Sequence, residues 1–311
     1  MSIEIFSRKH FFAVEFSVSF RAEVSVRRIE PIEDFTECIY CGSSNIVKDG
    51  VRKNKSGTLQ KFYCRNCNRY FTFNIGFERM KHNPQAVTSA MQLYFSGESL
   101  RNTMKSLRLL GVEVSHQTVY NWIKKYIELM KKYTEELQPQ VSDTWRADEL
   151  FVKIKGDMKY LFALMDDETR FWIAQEVADT KDLHDTRALF SRAKYLMGKQ
   201  PKNLITDGLV SYSAACDGVF TRTQHTRHIR LSGDLNNNKM ERLNGEIRDR
   251  EKVMRGLKRT DTPMVSGYQI FHNYIREHEG LDGKTPAEAC GITVQGKNKW
   301  MTLIQNASKK Q

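Results

Sequence analysis

The chain has 311 residues, 40% of them hydrophobic, and carries a formal net charge of +12 at pH 7. That is long and apolar enough for two or three domains with cores of their own, which excludes a disordered tail. No run approaches the ~18 uninterrupted apolar residues of a membrane span and no secretory signal is expected, so the positive charge points to nucleic acid rather than to a membrane. Six cysteines in such a chain indicate metal binding in a reducing, cytoplasmic setting, rather than disulfides.

Residues 1–35 read as an N-terminal extension. From Val14 to Val26 apolar and polar residues alternate, the pattern of a half-buried strand, though longer than most strands. No role follows from it.

Residues 36–82 hold two close cysteine pairs, Cys38-Ile-Tyr-Cys41 and Cys64-Arg-Asn-Cys67, with 22 residues between them. Four thiolates so spaced can close on one tetrahedral Zn²⁺, which predicts a zinc ribbon with a hairpin turn at Asn54-Lys-Ser-Gly57. From Cys38 to Lys81 nine basic residues face two acidic ones, and Tyr40, Tyr63 and Tyr70 lie among them. Phosphate contact with base stacking is one reading; a solvated basic face on a structural ribbon is the other.

Residues 83–138 read as all-α. Ser99 to Leu110, a turn at Gly111 to Val114, and Ser115 to Tyr126 have the form of a helix-turn-helix, with Ser115 as N-cap. Val119, Trp122, Ile123 and Tyr126 fall on the inner face of its second helix. Gln117, Thr118, Asn121, Lys124 and Lys125 fall outward, where they suit base edges and phosphates in a major groove. A plain helical bundle gives the same pattern.

Residues 143–262 alternate strands and helices. Trp145 to Lys155, Met158 to Met165 and Phe171 to Ala178 are predicted strands, turning at Gly156-Asp157 and at Asp166 to Thr169. A helix over Asp182 to Met197 follows, then a strand ending at Asp207, a short helix, a possible strand near His228 to Leu231, and a charged helix that opens near Glu241. This order suits a ribonuclease-H-like α/β sheet. Residues 263–311 form a helical tail in which Thr285-Pro-Ala-Glu288 is a capping box. Cys216 and Cys290 belong to no motif and are expected to be buried.

Two strand carboxylates, Asp148 and Asp207, and one helix carboxylate, Glu241, can converge on one site for Mg²⁺, which binds through a few carboxylates and substrate phosphate oxygens. Other acids compete. Glu149 should point to the opposite face of its strand, in a structural or substrate-orienting role, and Glu246 lies nearly opposite Glu241 on the helix. Asp166 and Asp167 read as turn residues, and His228 as a structural histidine. Arg248, Lys252, Arg255 and Arg259 recur at helical spacing as a DNA-clamping stripe, with a solvated face as the rival reading.

Asp207 and Glu241 stand 34 positions apart, and with Asn237-Asn-Lys-Met-Glu241, Met254-Arg-Gly-Leu-Lys258 and the tail from Asn273 to Ala289 this pattern resembles the DDE-type transposases of insertion sequences, relatives of retroviral integrases. The likeness covers roughly residues 38 to 292. It implies that Asp148 bridges two Mg²⁺ (or Mn²⁺) ions while Asp207 and Glu241 each complete one, and that water and then a freed 3′-hydroxyl act as nucleophiles. It further implies double-stranded DNA partners, the element's ends and the target, and a homo-oligomer of at least two chains near the nucleoid. A ribonuclease-H-like nuclease without strand transfer, and a non-catalytic DNA-binding descendant, are the alternatives.

Overall fold

The computed structural model describes residues 26–32, 37–54, 57–78, 80–227, 238–254, 257 and 263–309. The expected strand of residues 14 to 26 lies outside them, apart from Val26. β1 (Arg27–Ile29) is followed by a three-stranded antiparallel sheet of β2 (Ile46–Asn54), β3 (Gly57–Cys64) and β4 (Arg69–Thr72). In this sheet Phe62, Phe71 and Phe73 pack with Ile46 and with Cys38, Cys64 and Cys67 into a small core of their own.

Three helices come next: α1 (Pro84–Phe95), α2 (Leu100–Leu109) and α3 (His116–Glu135). Asn83, Ser99 and Ser115 cap them by accepting backbone N–H groups at the first turns, which satisfies donors that a helix start otherwise leaves orphaned. Val119, Trp122, Ile123 and Tyr126 are buried as the 3.6-residue period requires. α3 runs nine residues past Tyr126, because Ile127, Met130 and Tyr133 continue the apolar stripe.

A meander of β5 (Thr144–Ile154), β6 (Asp157–Asp166) and β7 (Trp172–Ala178) leads through α4 (Leu183–Met197), β8 (Asn203–Thr206), α5 (Val210–Val219) and β9 (Gln224–Arg227) to α6 (Asn238–Met254). The turn between β5 and β6 sits one residue earlier than expected. Lys155 and Gly156 both take positive φ (56° and 103°), and Asp157 already pairs with Ile154. A two-residue turn of this hand matches the right-handed twist of the strands. The five strands are ordered β7-β6-β5-β8-β9, antiparallel within the meander and parallel from β5 to β9. This is the integrase-like, ribonuclease-H-like α/β core. The possible strand at His228 to Leu231 falls outside the described residues; the strand that pairs with β8 is β9, just before it.

The tail comprises α7 (Pro263–Ile270), a π-helical turn (Phe271–Ile275), a short 3-10 turn (Glu279–Leu281), α8 (Pro286–Ala289), β10 (Ile292–Val294) and α9 (Lys299–Lys309). It closes back on the beginning: β10 pairs in parallel with β1, and Trp300 stacks on Phe95 and Phe271 at 5.6 and 6.3 Å between ring centroids. A Cβ on Gly267 would come within 2.4 Å of Phe95, so glycine is what lets α7 lie this close to α1. The capping box at Thr285 and Glu288 forms in full, and Cys216 and Cys290 are buried. Helices, sheet and tail share one hydrophobic core. Among the described residues, no helix is long and apolar enough to cross a membrane.

Burial, and then the neighbouring His272, push the imidazole of His278 down to about 4 from an ordinary 6.5. The fold therefore favours its neutral form, a contribution fully present above pH 6.5 and lost as pH falls toward 4. Thermal unfolding should shift down across that window, and His278→Gln should flatten the His278 part of the shift; an unchanged pH profile in the variant would contradict the assignment.

Candidate active site

Register decides where the first two acids meet. β5 and β8 pair in parallel with Ala147 opposite Thr206, so Asp148 and Asp207, the next residues, come out at the same level on adjacent strands. Strand spacing of about 4.8 Å puts their carboxylates within reach of one cation. Ligand oxygens of Asp148, Glu149 and Asp207 all lie within 4.8 Å of one another. β8 has ended by then, and Gly208, at φ +102°, turns the chain toward α5 while Leu209 N–H donates to Asp207 Oδ1 at 3.2 Å.

Asp148 is 8% exposed and faces α6, where Asn244 Nδ2 donates to its Oδ2 at 2.8 Å; the Glu149 N–H donates to its Oδ1 at 3.0 Å. Burial, and then the charges of Glu149 and Asp207, raise the Asp148 carboxyl to about 7. Asp148 and Asp207 are hard oxygen donors side by side, and the burial and neighbouring negative charge that hold back ionisation of Asp148 are what a divalent cation there would relieve.

Glu149 points to the other face of β5, as strand alternation dictates. There Tyr212 of α5 donates to its Oε2 at 2.9 Å, and Lys181 Nζ lies 2.7 Å from its Oε1. Glu241 stands in the first turn of α6, exposed, and outside the 4.8 Å group. Glu246 is committed elsewhere, 2.7 Å from Arg276 and 3.8 Å from His272. Asp166 caps its turn by accepting from Ser142 and Thr169. Asp167 pairs with buried Arg146 and with Lys239 of α6, which ties the start of α6 to the β6–β7 turn.

The basic residues divide. Arg248 and Lys252 are exposed on α6, Lys252 with Asp249 at 2.9 Å; Arg255, Arg259 and His228 lie outside the described residues. On α3, Gln117, Asn121, Lys124 and Lys125 are exposed and Thr118 half-buried. Gln117 donates to Asn121 at 3.1 Å, and Lys124 sits 4.0 Å from Glu128.

In the three-stranded sheet region Cys38, Cys41, Cys64 and Cys67 bring their sulfurs within 4.8 Å of one another. Sγ–Sγ separations are 3.6 Å for Cys38–Cys67 and for Cys41–Cys64. A Zn–S bond of ~2.3 Å sets tetrahedral sulfurs about 3.8 Å apart, so the cage fits zinc. Backbone N–H groups of Cys67 and Asn66 draw the Cys64 thiol down to about 7, while burial and the other thiols push Cys67 up to about 12.

Residues 142–278, which carry the whole carboxylate group, match a family described as a DDE domain. The chain is also 27% identical over 222 residues to the transposase for insertion sequence-like element IS431mec of Staphylococcus aureus, covering 70% of this chain and 97% of that one. The chain is thus similar to insertion-sequence transposases, and its residues 142–278 match a DDE domain. An uncharacterized 48.3 kDa protein of insertion element ISM1 from Methanobrevibacter smithii is 29% identical over 145 residues, 42% of this chain and 35% of that protein. Among solved structures, the HTLV-2 integrase catalytic core domain in complex with magnesium covers 50% of this chain and 98% of its own at 17% identity. Its TM-score of 0.36 is too low to add to what strand order already establishes.

Sequence reasoning missed Asn244, Tyr212 and Lys181. Asn244 was within reach: three residues after Glu241, it shares a helix flank with it. Tyr212 and Lys181 lie in unrelated segments and carry no such signal. Asn244 is 2% exposed, and its Oδ1 has no partner among the described residues. Asn244→Leu should therefore leave metal-free stability near that of the parent while lowering metal-dependent DNA cleavage roughly 10- to 100-fold; wild-type cleavage rates would show that Asp148 needs no such support.

Proposed function

We propose that this protein is a transposase that cuts the ends of a mobile element and joins them to target DNA, with Asp148, Asp207 and Glu241 holding two Mg²⁺ (or Mn²⁺) ions. The observation that carries the reading is the closeness of Asp148, within β5, to Asp207, just past the end of β8, inside the DDE-domain match. Glu241 completes the set from α6 when DNA and ions are bound.

Bound there, the ions would activate the attacking oxygen and stabilise the leaving one in an in-line displacement. The protein's own work is positional. Asn244 fixes one oxygen of Asp148, and the Asp207 turn is anchored by the Leu209 N–H. No protein nucleophile is required: water cuts the end, and the 3′-hydroxyl so released attacks the target phosphodiester.

Residues 36–82 act as a zinc ribbon holding one structural Zn²⁺ on Cys38, Cys41, Cys64 and Cys67, supported by the 3.6 Å sulfur spacings. Residues 83–138 act as a helix-turn-helix that reads the ends through Gln117, Thr118, Asn121, Lys124 and Lys125. Arg248 and Lys252, with Arg255 and Arg259, hold the backbone beside the catalytic domain of residues 143–262, which the tail of residues 263–311 buttresses. Two ends must be held together during joining, so the active form is an oligomer of at least two chains.

Asp148→Asn, Asp207→Asn and Glu241→Gln should each reduce Mg²⁺-dependent cleavage of end-bearing DNA to background while retention of that DNA persists. A pre-cut end with a free 3′-hydroxyl should be joined to plasmid by the parent protein; cutting without joining would favour a nuclease, and undiminished cleavage by Asp148→Asn would refute the metal assignment. Elemental analysis should find about one zinc per chain, lost in Cys64→Ser together with end binding.

A further inference from the structure

The network around Glu149 lies behind the acids, on the face of β5 turned away from α6. The Glu149 side chain is only 5% exposed, yet it carries a carboxylate within 4.8 Å of those of Asp148 and Asp207. Such a group adds repulsion to a site already crowded with negative charge, so its place there needs a compensating task. Both of its oxygens are engaged by elements other than its own strand: Tyr212 Oη from α5, and Lys181 Nζ from the segment between β7 and α4.

Those partners are fixed in turn. Tyr212 is fully buried against Phe162 and Phe190. Burial first, and then the Glu149 charge, hold its hydroxyl protonated, so it serves as a donor. Lys181 sits with its ammonium 4.8 and 5.4 Å from the ring centroids of Tyr160 and Phe151.

Asp207 depends on this arrangement. It is exposed, follows the last residue of β8, and leads through Gly208 directly into the helix that carries Tyr212. Strand pairing holds Asp148, but among the described residues no ladder pairing extends past Thr206 to Asp207. The Tyr212–Glu149 bond links the helix after Asp207 to the residue after Asp148.

We propose that Glu149 is a positioning residue that sets the separation of Asp148 and Asp207 by bonding Tyr212 and Lys181, and so tunes metal affinity without itself binding metal. The proposal rests on the reading of Asp148 and Asp207 as metal ligands. Each Glu149 oxygen already meets one partner, Tyr212 or Lys181, and these two contacts are all that a spacer needs.

The test is Mn²⁺ binding followed by electron paramagnetic resonance of the free ion, on full-length protein without DNA, beside thermal unfolding in a chelator. Glu149→Ala and Tyr212→Phe should each weaken Mn²⁺ binding roughly 10- to 100-fold, and Glu149→Gln, which still accepts from Tyr212, should lose less. Cleavage by these variants should recover at high Mn²⁺, a change in metal requirement rather than in limiting rate. Tyr212→Phe binding Mn²⁺ like the parent, with Glu149→Gln as impaired as Glu149→Ala, would overturn the proposal in favour of a direct ligand. Lower thermal stability with unchanged Mn²⁺ affinity would overturn it in favour of a purely structural role. Asp148→Asn is the separate control: if it still binds Mn²⁺ like the parent, the metal-site reading fails whatever Glu149 does.

Discussion

The parallel pairing of β5 with β8 governs the chemistry of this molecule. Residues 59 positions apart in the chain are brought level by four consecutive register pairs, from Thr144–Asn203 to Ala147–Thr206. The next residue on each strand is an aspartate. Strand slippage by one residue would turn one of the two acids to the opposite face of the sheet, because side chains alternate with a period of two. Their spacing is thus a consequence of backbone hydrogen bonding, with turns and helices only refining it.

Around that pair the fold concentrates negative charge and then restrains it. Asp148 is buried against α6, Glu149 against α5, and Asp207 stays open to solvent. Burial and the two neighbouring carboxylates make ionisation of Asp148 costly, a cost that a bound cation would offset. The restraining groups are neutral or cationic: an amide from α6, a phenol from α5 and an ammonium from the segment before α4. Each reaches the acids from a different element, so site geometry and core packing are coupled.

The same coupling extends outward. α6 is pinned at its start by Lys239 to Asp167 and toward its end by Arg250, which lies 4.1 Å over the Tyr94 ring and donates to the Glu98 carbonyl at 2.8 Å. The helix that carries Glu241 and Asn244 is therefore in direct contact with the end of α1. Trp300, stacked between Phe95 and Phe271, completes the junction from the tail. The helical segment and the α/β sheet share one core, which gives α3 a fixed relation to the carboxylates.

Local pattern made much of this legible beforehand. Cysteine spacing determined the four-sulfur cage, because two close pairs leave few other arrangements. The alternation in residues 144–178 determined three hairpin-linked strands, and Ser115 with its apolar stripe determined the start and inner face of α3. Asp148 and Asp207 were readable because each ends or interrupts an apolar run. Tertiary structure alone decided the rest. The length of α3 followed from what packs beyond Tyr126, and the tail's pairing with β1 joins residues more than 260 positions apart, where no local signal operates. That Glu149 shares a pocket with the acids while bonded to Tyr212 and Lys181 depends on how three separate elements meet. Sequence periodicity fixes the face on which a side chain emerges; only packing fixes what it meets there.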